Sequence, residues 1–192
     1  MIRMYRYILT HDTGMAPCPE NGLITLGTCK PVIRRVARAG DWVLGFRPGS
    51  LVRGLVLWAG KVERSMTHGE YQRAYPKRSD AVYRLAGNGQ YDRLVPDYHS
   101  TQSEMDRDTR EPVLLFDPRH SYYFNGVPEL LPEDLAHLAA AGRGHRVTEA
   151  LPTLAARLEE WLGNLDQARP AISQPKNSGD LACGRRAKTK GC

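Results

Sequence analysis

Thr25–Phe46, TLGTCKPVIRRVARAGDWVLGF, decides how this chain folds. Pro31 suits the first turn of a helix, where a missing N–H costs nothing. Val32, Ile33, Val36 and Ala37 then fall on one helical face, and Arg34, Arg35 and Arg38 are set towards the other. Gly40 fits a helix end that needs a left-handed residue. Trp42–Phe46 follows as an apolar run of strand length. The reading is a short helix feeding a buried strand. Cys29 and Lys30 sit at its first turn, an end that favours anions and a thiolate.

Outward from this core, Met4–Leu9 reads as a strand. His11–Gly22 is turn chemistry, with Asp-Thr-Gly, two prolines and Asn-Gly. Ile24–Leu26 reads as a short strand. Leu51–Val62 is an apolar strand buried on both faces, with bends expected at Gly54 and Gly60. Thr67 and Glu70 form a capping box opening a helix that ends before Pro76. Val82–Leu85, Val113–Phe116 and Ser121–Phe124 read as strands, with a turn at Asp117-Pro118. The long polar stretch Ala86–Glu111 receives no assignment. Pro132 opens a helix to about Ala141, and Leu154, Leu158, Trp161 and Leu162 give a last helix closing near Gly163.

The pattern lacks regular βαβ alternation and predicts an α+β fold. It is a single mixed domain with a small, barrel-like, mostly antiparallel sheet and flanking helices. The domain is placed at 1–163, and 164–192 is read as a disordered basic tail. Of the net charge of +6, the last 28 residues hold six basic groups against two acids. The body is therefore only weakly basic, and the local cluster of arginines says more about a polyanion than the overall charge does. The four cysteines form neither a C-x-x-C pair nor a disulfide framework, and no stretch has the length of a membrane helix. A cytoplasmic protein with reduced thiols is expected, with no membrane partner. No metal-ligand or dinucleotide spacing is visible, so the sequence names no cofactor, and it leaves the oligomeric state open.

The wording CKPVIRRVARAGDWVLG, with HDTGMAP upstream and GRGHR downstream, resembles the nucleotide modification-associated domain 2 family, from about Tyr5 to about Arg146. Families of that name are associated with bacterial and phage systems that make or handle modified DNA bases. The resemblance implies a setting rather than a reaction. In that setting the expected partner is a nucleotide or nucleic acid, DNA above all. The expectation is a nucleotide- or DNA-base-binding protein of the pathway, an enzyme in one reading, with a non-catalytic reader of modified bases as the alternative.

Several groups are candidates for the site. Lys30, Arg34, Arg35 and Arg38 are expected to hold phosphates, Arg being shaped for bidentate contact. The plainer alternative is a solvated helix face. His11 and Asp12 follow a strand end and offer acid–base chemistry, unless Asp12 only builds the turn. Cys29 is a nucleophile in one reading and plain core in the other. His145, Gly144 and Arg146 lie in a turn expected between two helices, where backbone N–H groups could converge on an anion. Tyr123 is the aromatic expected to stack a base, while Trp42 and Trp58 are expected in the core. Asp80, Asp92, Asp97, Asp106 and Asp108 read as scattered acids. A buried His–Asp pair aimed at a cleft would favour an enzyme; an aromatic cage without titratable groups would favour a reader.

Overall fold

The computed structural model describes residues 1–168 apart from 50, 51, 125, 126, 141 and 143; the expected basic tail lies mostly outside the described residues. In chain order the elements are β1 (Ile2–Ile8), β2 (Cys18–Glu20), β3 (Leu23–Leu26), α1 (Pro31–Val36), β4 (Trp42–Phe46) and β5 (Leu55–Met66). There follow α2 (His68–Ala74), β6 (Tyr83–Leu85), β7 (Tyr91–Arg93), α3 (Gln102–Arg110) and β8 (Val113–Tyr123). The chain continues through β9 (Glu129–Leu130), a 3-10 helix (Glu133–Leu138), β10 (His145–Ala150) and α4 (Pro152–Ala168).

The main sheet runs β10-β1-β4-β5-β8-β3-β2, with β9 attached to β5, and β6–β7 form a separate hairpin. Only β1 and β4 pair in parallel; every other pairing in the sheet is antiparallel. The fold is α+β. The sheet is open, with β10 and β2 at its edges, and does not close into the expected barrel.

Period-two alternation builds both faces. On β1 and β4, Met4, Trp42, Leu44 and Phe46 face the core beneath α4 and the 3-10 helix, with Leu135, Leu138, Leu158 and Leu162. The intervening Tyr5, Tyr7 and Val43 face the other side, where Ile33 and Ala37 bring in α1. Each fully buried apolar side chain of this kind contributes about 1.5–3 kcal/mol. Gly45 is required by packing: a Cβ there would run into the Trp58 indole. That indole stands edge-on to Phe116 and donates from Nε1 to the Tyr7 hydroxyl at 3.1 Å.

Local readings needed four corrections. Asp117-Pro118 does not interrupt the strand; Val113–Tyr123 is one bent element, with pairing shifts opposite Gly60–Arg64 of β5. The helix after Pro132 is a 3-10 helix, and His145 and Arg146 belong to β10 rather than to a turn between two helices. α4 continues through Gly163 to Ala168. The unassigned stretch contains β7 and α3, and α3 opens on a capping box of Thr101 and Glu104 with both reciprocal bonds formed.

Candidate functional site

α1 begins in an unusual backbone. Cys29 and Lys30 are consecutive non-glycine residues with φ of 55° and 42°. Left-handed conformations of this kind cost energy in side-chain-bearing residues and persist where surrounding contacts enforce them. The enforcing contacts come from α3 and from α1 itself. Asp108 is fully buried, and its Oδ1 accepts from the Cys29 backbone N–H at 3.3 Å. Arg34, also fully buried, donates to the Cys29 carbonyl at 3.4 Å.

The Arg34 guanidinium is enclosed by acceptors. It donates to the carbonyls of Pro112 at 2.8 Å, Asp108 at 2.5 Å and Glu111 at 2.6 Å, and lies 3.7 Å from Asp108 Oδ1. Burial lowers its pKa to about 10, against the opposing pull of Asp108. It stays charged at neutral pH and welds α1 to the end of α3. The structure thus buries one of the four cations expected to meet phosphate. Charge spacing on a helix face cannot reveal this, since a buried and a solvated arginine look alike in sequence.

His68, the first residue of α2, packs against the same group. Its Nε2 is 3.0 Å from both Arg34 Nη2 and the Asp108 carbonyl. Burial, then the Arg34 charge, push its pKa down to about 3, so the ring is neutral. Tyr83 donates to Asp108 Oδ2 at 2.9 Å, and burial raises its own pKa.

The fourth partner of Asp108 is His99, in the loop before α3. Nδ1 of His99 is 2.5 Å from Asp108 Oδ2, and Nε2 is 3.8 Å from Cys29 Sγ. Burial alone would raise the Asp108 carboxyl, but His99, Tyr83 and Arg34 outweigh it and hold it low. The ionised carboxylate accepts a hydrogen bond from Nδ1–H, a tautomer that leaves the Nε2 lone pair on the side of the thiol. The His99 side chain is 10% exposed and Cys29 is 8% exposed, so the pair lies at the rim of the network rather than sealed within it. Tyr98 stacks on the imidazole at 4.3 Å and bonds Thr28 through its hydroxyl at 2.6 Å, pinning the loop over the β3–α1 turn.

The remaining expected residues are divided by the fold. Lys30 holds its ammonium 4.6 Å from the Tyr7 ring, beside Cys29 in the chain. Arg35 is exposed and lies 3.5 Å from Glu111. Arg38 is exposed but lies beyond the six-residue helix, where it donates to the carbonyls of Arg35 and Ala37. Asp12 accepts from Gly14 N–H at 3.3 Å and from the Tyr123 hydroxyl at 2.6 Å, while His11 is exposed. Tyr123 is therefore a buried hydroxyl donor and not an open stacking face. Trp42 and Trp58 are in the core as expected. His145 is paired with Tyr7 across the sheet and shares its face, whereas Arg146 is paired with Arg6 on the opposite face. Gly142 and Gly144 have positive φ, so the turn is a glycine turn, but it does not bring Arg146 to the α1 side. Arg143 lies outside the described residues.

A second cluster, Cys18, Glu20 and Asp80, groups potential metal-ligand atoms within 4.8 Å of one another. The Asp80 carboxylate there already accepts from Tyr71 at 2.6 Å, Thr25 at 2.5 Å and Arg78 at 3.3 Å. An aspartate so engaged by protein donors is a structural counter-ion. Among the described residues, no helix is long and apolar enough to cross a membrane.

His99, Asp108, His68, Tyr83 and Glu111 are the residues that sequence reading missed. The available signal was the Thr101-x-x-Glu104 capping box, which places a helix over 102–110 and puts Met105 and Asp108 on one face.

No curated protein and no solved structure matches the chain at significance. The model of one family, nucleotide modification associated domain 2, matches residues 1–180. The chain belongs to that family and is, by the family's description, associated with nucleotide modification.

Proposed function

We propose that this protein is an enzyme of nucleotide modification that binds a nucleotide or a DNA base at the β3–α1 turn and alters it. The observation that carries this is the His99–Asp108 pair, 2.5 Å apart and directed at the Cys29 thiol. A carboxylate that fixes the tautomer of an imidazole is the arrangement needed for general acid–base catalysis near neutral pH. The reader alternative needs an open aromatic cage, and Trp42, Trp58 and Tyr123 are all buried.

Lys30, Arg35 and Arg38 are the cations nearest in sequence to Cys29 that are not enclosed like Arg34, and they are assigned to the phosphates of the substrate. Each is a separate side chain on one turn of chain, so loss of one weakens binding without removing it. The exposed His11 and His145, which lies opposite Tyr7, are kept as further contacts, and the partner is a nucleotide or DNA acting in the cytoplasm.

The test is a mass-spectrometric comparison of nucleosides from DNA of cells expressing the wild-type protein and His99→Gln. A nucleoside that appears or disappears with the wild type and not with the variant is expected. Identical nucleosides in both, together with retained DNA binding, would return the reading to a non-catalytic reader.

A further inference from the structure

Cys29, itself 8% exposed, lies next to His99 where the buried network nears the surface, and its geometry specifies more than acid–base chemistry. We infer that Cys29 is a covalent nucleophile, activated by His99 and positioned by Asp108, and that it adds to C6 of a pyrimidine ring. This rests on the reading of the protein as a nucleotide-modifying enzyme.

Three observations carry the inference. Sγ, Nε2, Nδ1 and Oδ2 form an unbroken line from thiol to imidazole to carboxylate, at 3.8 and 2.5 Å. Distances between nucleophile and base are often this loose before substrate binds. The nucleophile sits on a strained turn, with φ of 55° at Cys29 and 42° at Lys30, held in place by two buried charges. That cost is consistent with presenting one side chain in a fixed direction. Finally, the Cys29 backbone N–H is turned inward to Asp108 Oδ1. In thiol and serine acyl transfer, the N–H of the nucleophilic residue itself commonly helps to hold the developing oxyanion. Here that donor is committed to the scaffold, which argues against an acyl substrate.

The nature of a nucleobase supplies the alternative. A soft thiolate meets its most suitable electrophilic carbon at C6 of a pyrimidine, the terminus of a conjugated C5=C6 bond. The step balances without an oxidant or co-reactant. The Cys29 thiol proton passes to His99 Nε2, and the sulfur lone pair forms the S–C6 bond. The C5=C6 π electrons move to C5 and onto the conjugated ring heteroatoms. C5 becomes nucleophilic and takes a proton from solvent. The other C5 hydrogen leaves as a proton to solvent, the C5–H electron pair re-forms the double bond, the S–C6 pair leaves with the thiolate, and the thiolate recovers its proton from His99. In deuterium oxide the net result is exchange of the hydrogen at C5.

That exchange is the test. The full-length protein is incubated in deuterium oxide with 2′-deoxycytidine 5′-monophosphate, with 2′-deoxyuridine 5′-monophosphate, or with a cytosine-containing single-stranded oligonucleotide. Deuterium at C5 is read by mass spectrometry, and binding of each probe is measured in parallel. The expected result is incorporation into at least one probe, with the free nucleotides and the oligonucleotide separating a nucleotide substrate from a DNA substrate. Cys29→Ala and Cys29→Ser, whose melting temperatures confirm folding, should both abolish exchange. His99→Gln should slow it about 10²–10⁴-fold and flatten its pH profile. Exchange that persists in either folded cysteine variant overturns the covalent role. A wild-type protein that binds a probe and exchanges nothing overturns pyrimidine addition and leaves the modification reading standing. A wild type that neither binds nor exchanges overturns both.

Discussion

Two buried arginines organise this molecule, and the difference between them separates scaffold from site. Arg78 and Arg34 each reach across elements to an aspartate and several backbone carbonyls, with a tyrosine hydroxyl on that same aspartate. Around Arg78 the network closes on itself. The guanidinium donates to the carbonyls of Glu20 at 2.5 Å and Cys18 at 2.9 Å and to the Tyr71 hydroxyl at 2.6 Å. Asp80 receives Thr25, Tyr71 and Arg78. Burial works against the Arg78 charge, yet Asp80 prevails and the pKa is raised. Around Arg34 the outcome is reversed: burial prevails, and the pKa falls to about 10. The reason lies in distance and burial: Asp80 is 3.3 Å from an arginine that keeps slight exposure, while Asp108 stands 3.7 Å from one that is fully buried. Both carboxylates are shared, Asp80 with Thr25 and Tyr71, Asp108 with Cys29, Tyr83 and His99. A carboxylate whose partners are all enclosed makes structure. One that also holds an imidazole at the rim makes a site.

The comparison can be broken first by deleting either arginine. Arg34→Ala and Arg78→Ala each strand a buried aspartate and should each cost about 3–5 kcal/mol of stability. Urea denaturation midpoints measure this, and a loss below 1 kcal/mol in either would mean that the network is not a unit. The two should differ when the substitution is made at the outer partner. His99→Gln should leave the denaturation midpoint within about 1 kcal/mol of wild type, while lowering any activity of the site about 10²–10⁴-fold. A His99 variant that unfolds would place His99 with the scaffold.

The pH response sharpens the contrast. The Arg34 network contains His68, and the Arg78 network has no histidine among the contacts described here. His68 is held at about 3 against an ordinary 6.5, by burial and then by Arg34. Between those values the unfolded chain binds a proton that the folded chain refuses. Its stabilisation is therefore complete above pH 6.5 and is lost as the pH falls towards 3. Unfolding free energy should drop by up to about 1.4 kcal/mol per pH unit within that window. His68→Gln should remove most of this slope, and an unchanged slope would show that other groups carry it.

The smallest effect concerns the helix caps. Thr67 begins the helix that carries His68, and Thr101 begins the one that carries Asp108. Thr67→Ala and Thr101→Ala should each cost about 0.5–2 kcal/mol. Thr101→Ala should additionally lower activity, because it loosens the helix whose other end holds the His99 carboxylate partner. Equal activity in the two variants would mean that Asp108 is held by Arg34 and Tyr83 alone.

The sequence by itself determined much of what depends on neighbours in the chain. Alternation placed Trp42 and Leu44 on one face and Val43 on the other, because strand side chains have a period of two. The Thr67–Glu70 box set the start of α2, because its bonds span only three residues. The family motif around Cys29 and Gly40-Asp41-Trp42 was legible for the same reason. What only the tertiary structure decided was which polar groups meet. His99 is 70 residues from Cys29, and Asp108 is 79. Arg34 read as a phosphate-binding cation, or else a solvated one, because periodicity reports the hydrophobic face of a helix and is blind to a carboxylate arriving from elsewhere. The open edges of the sheet were hidden in the same way, since closure depends on strand pairing at long range. A site assembled from β3–α1, a distant loop and α3 exists only once the chain has folded, because its energy resides in contacts that no local pattern encodes.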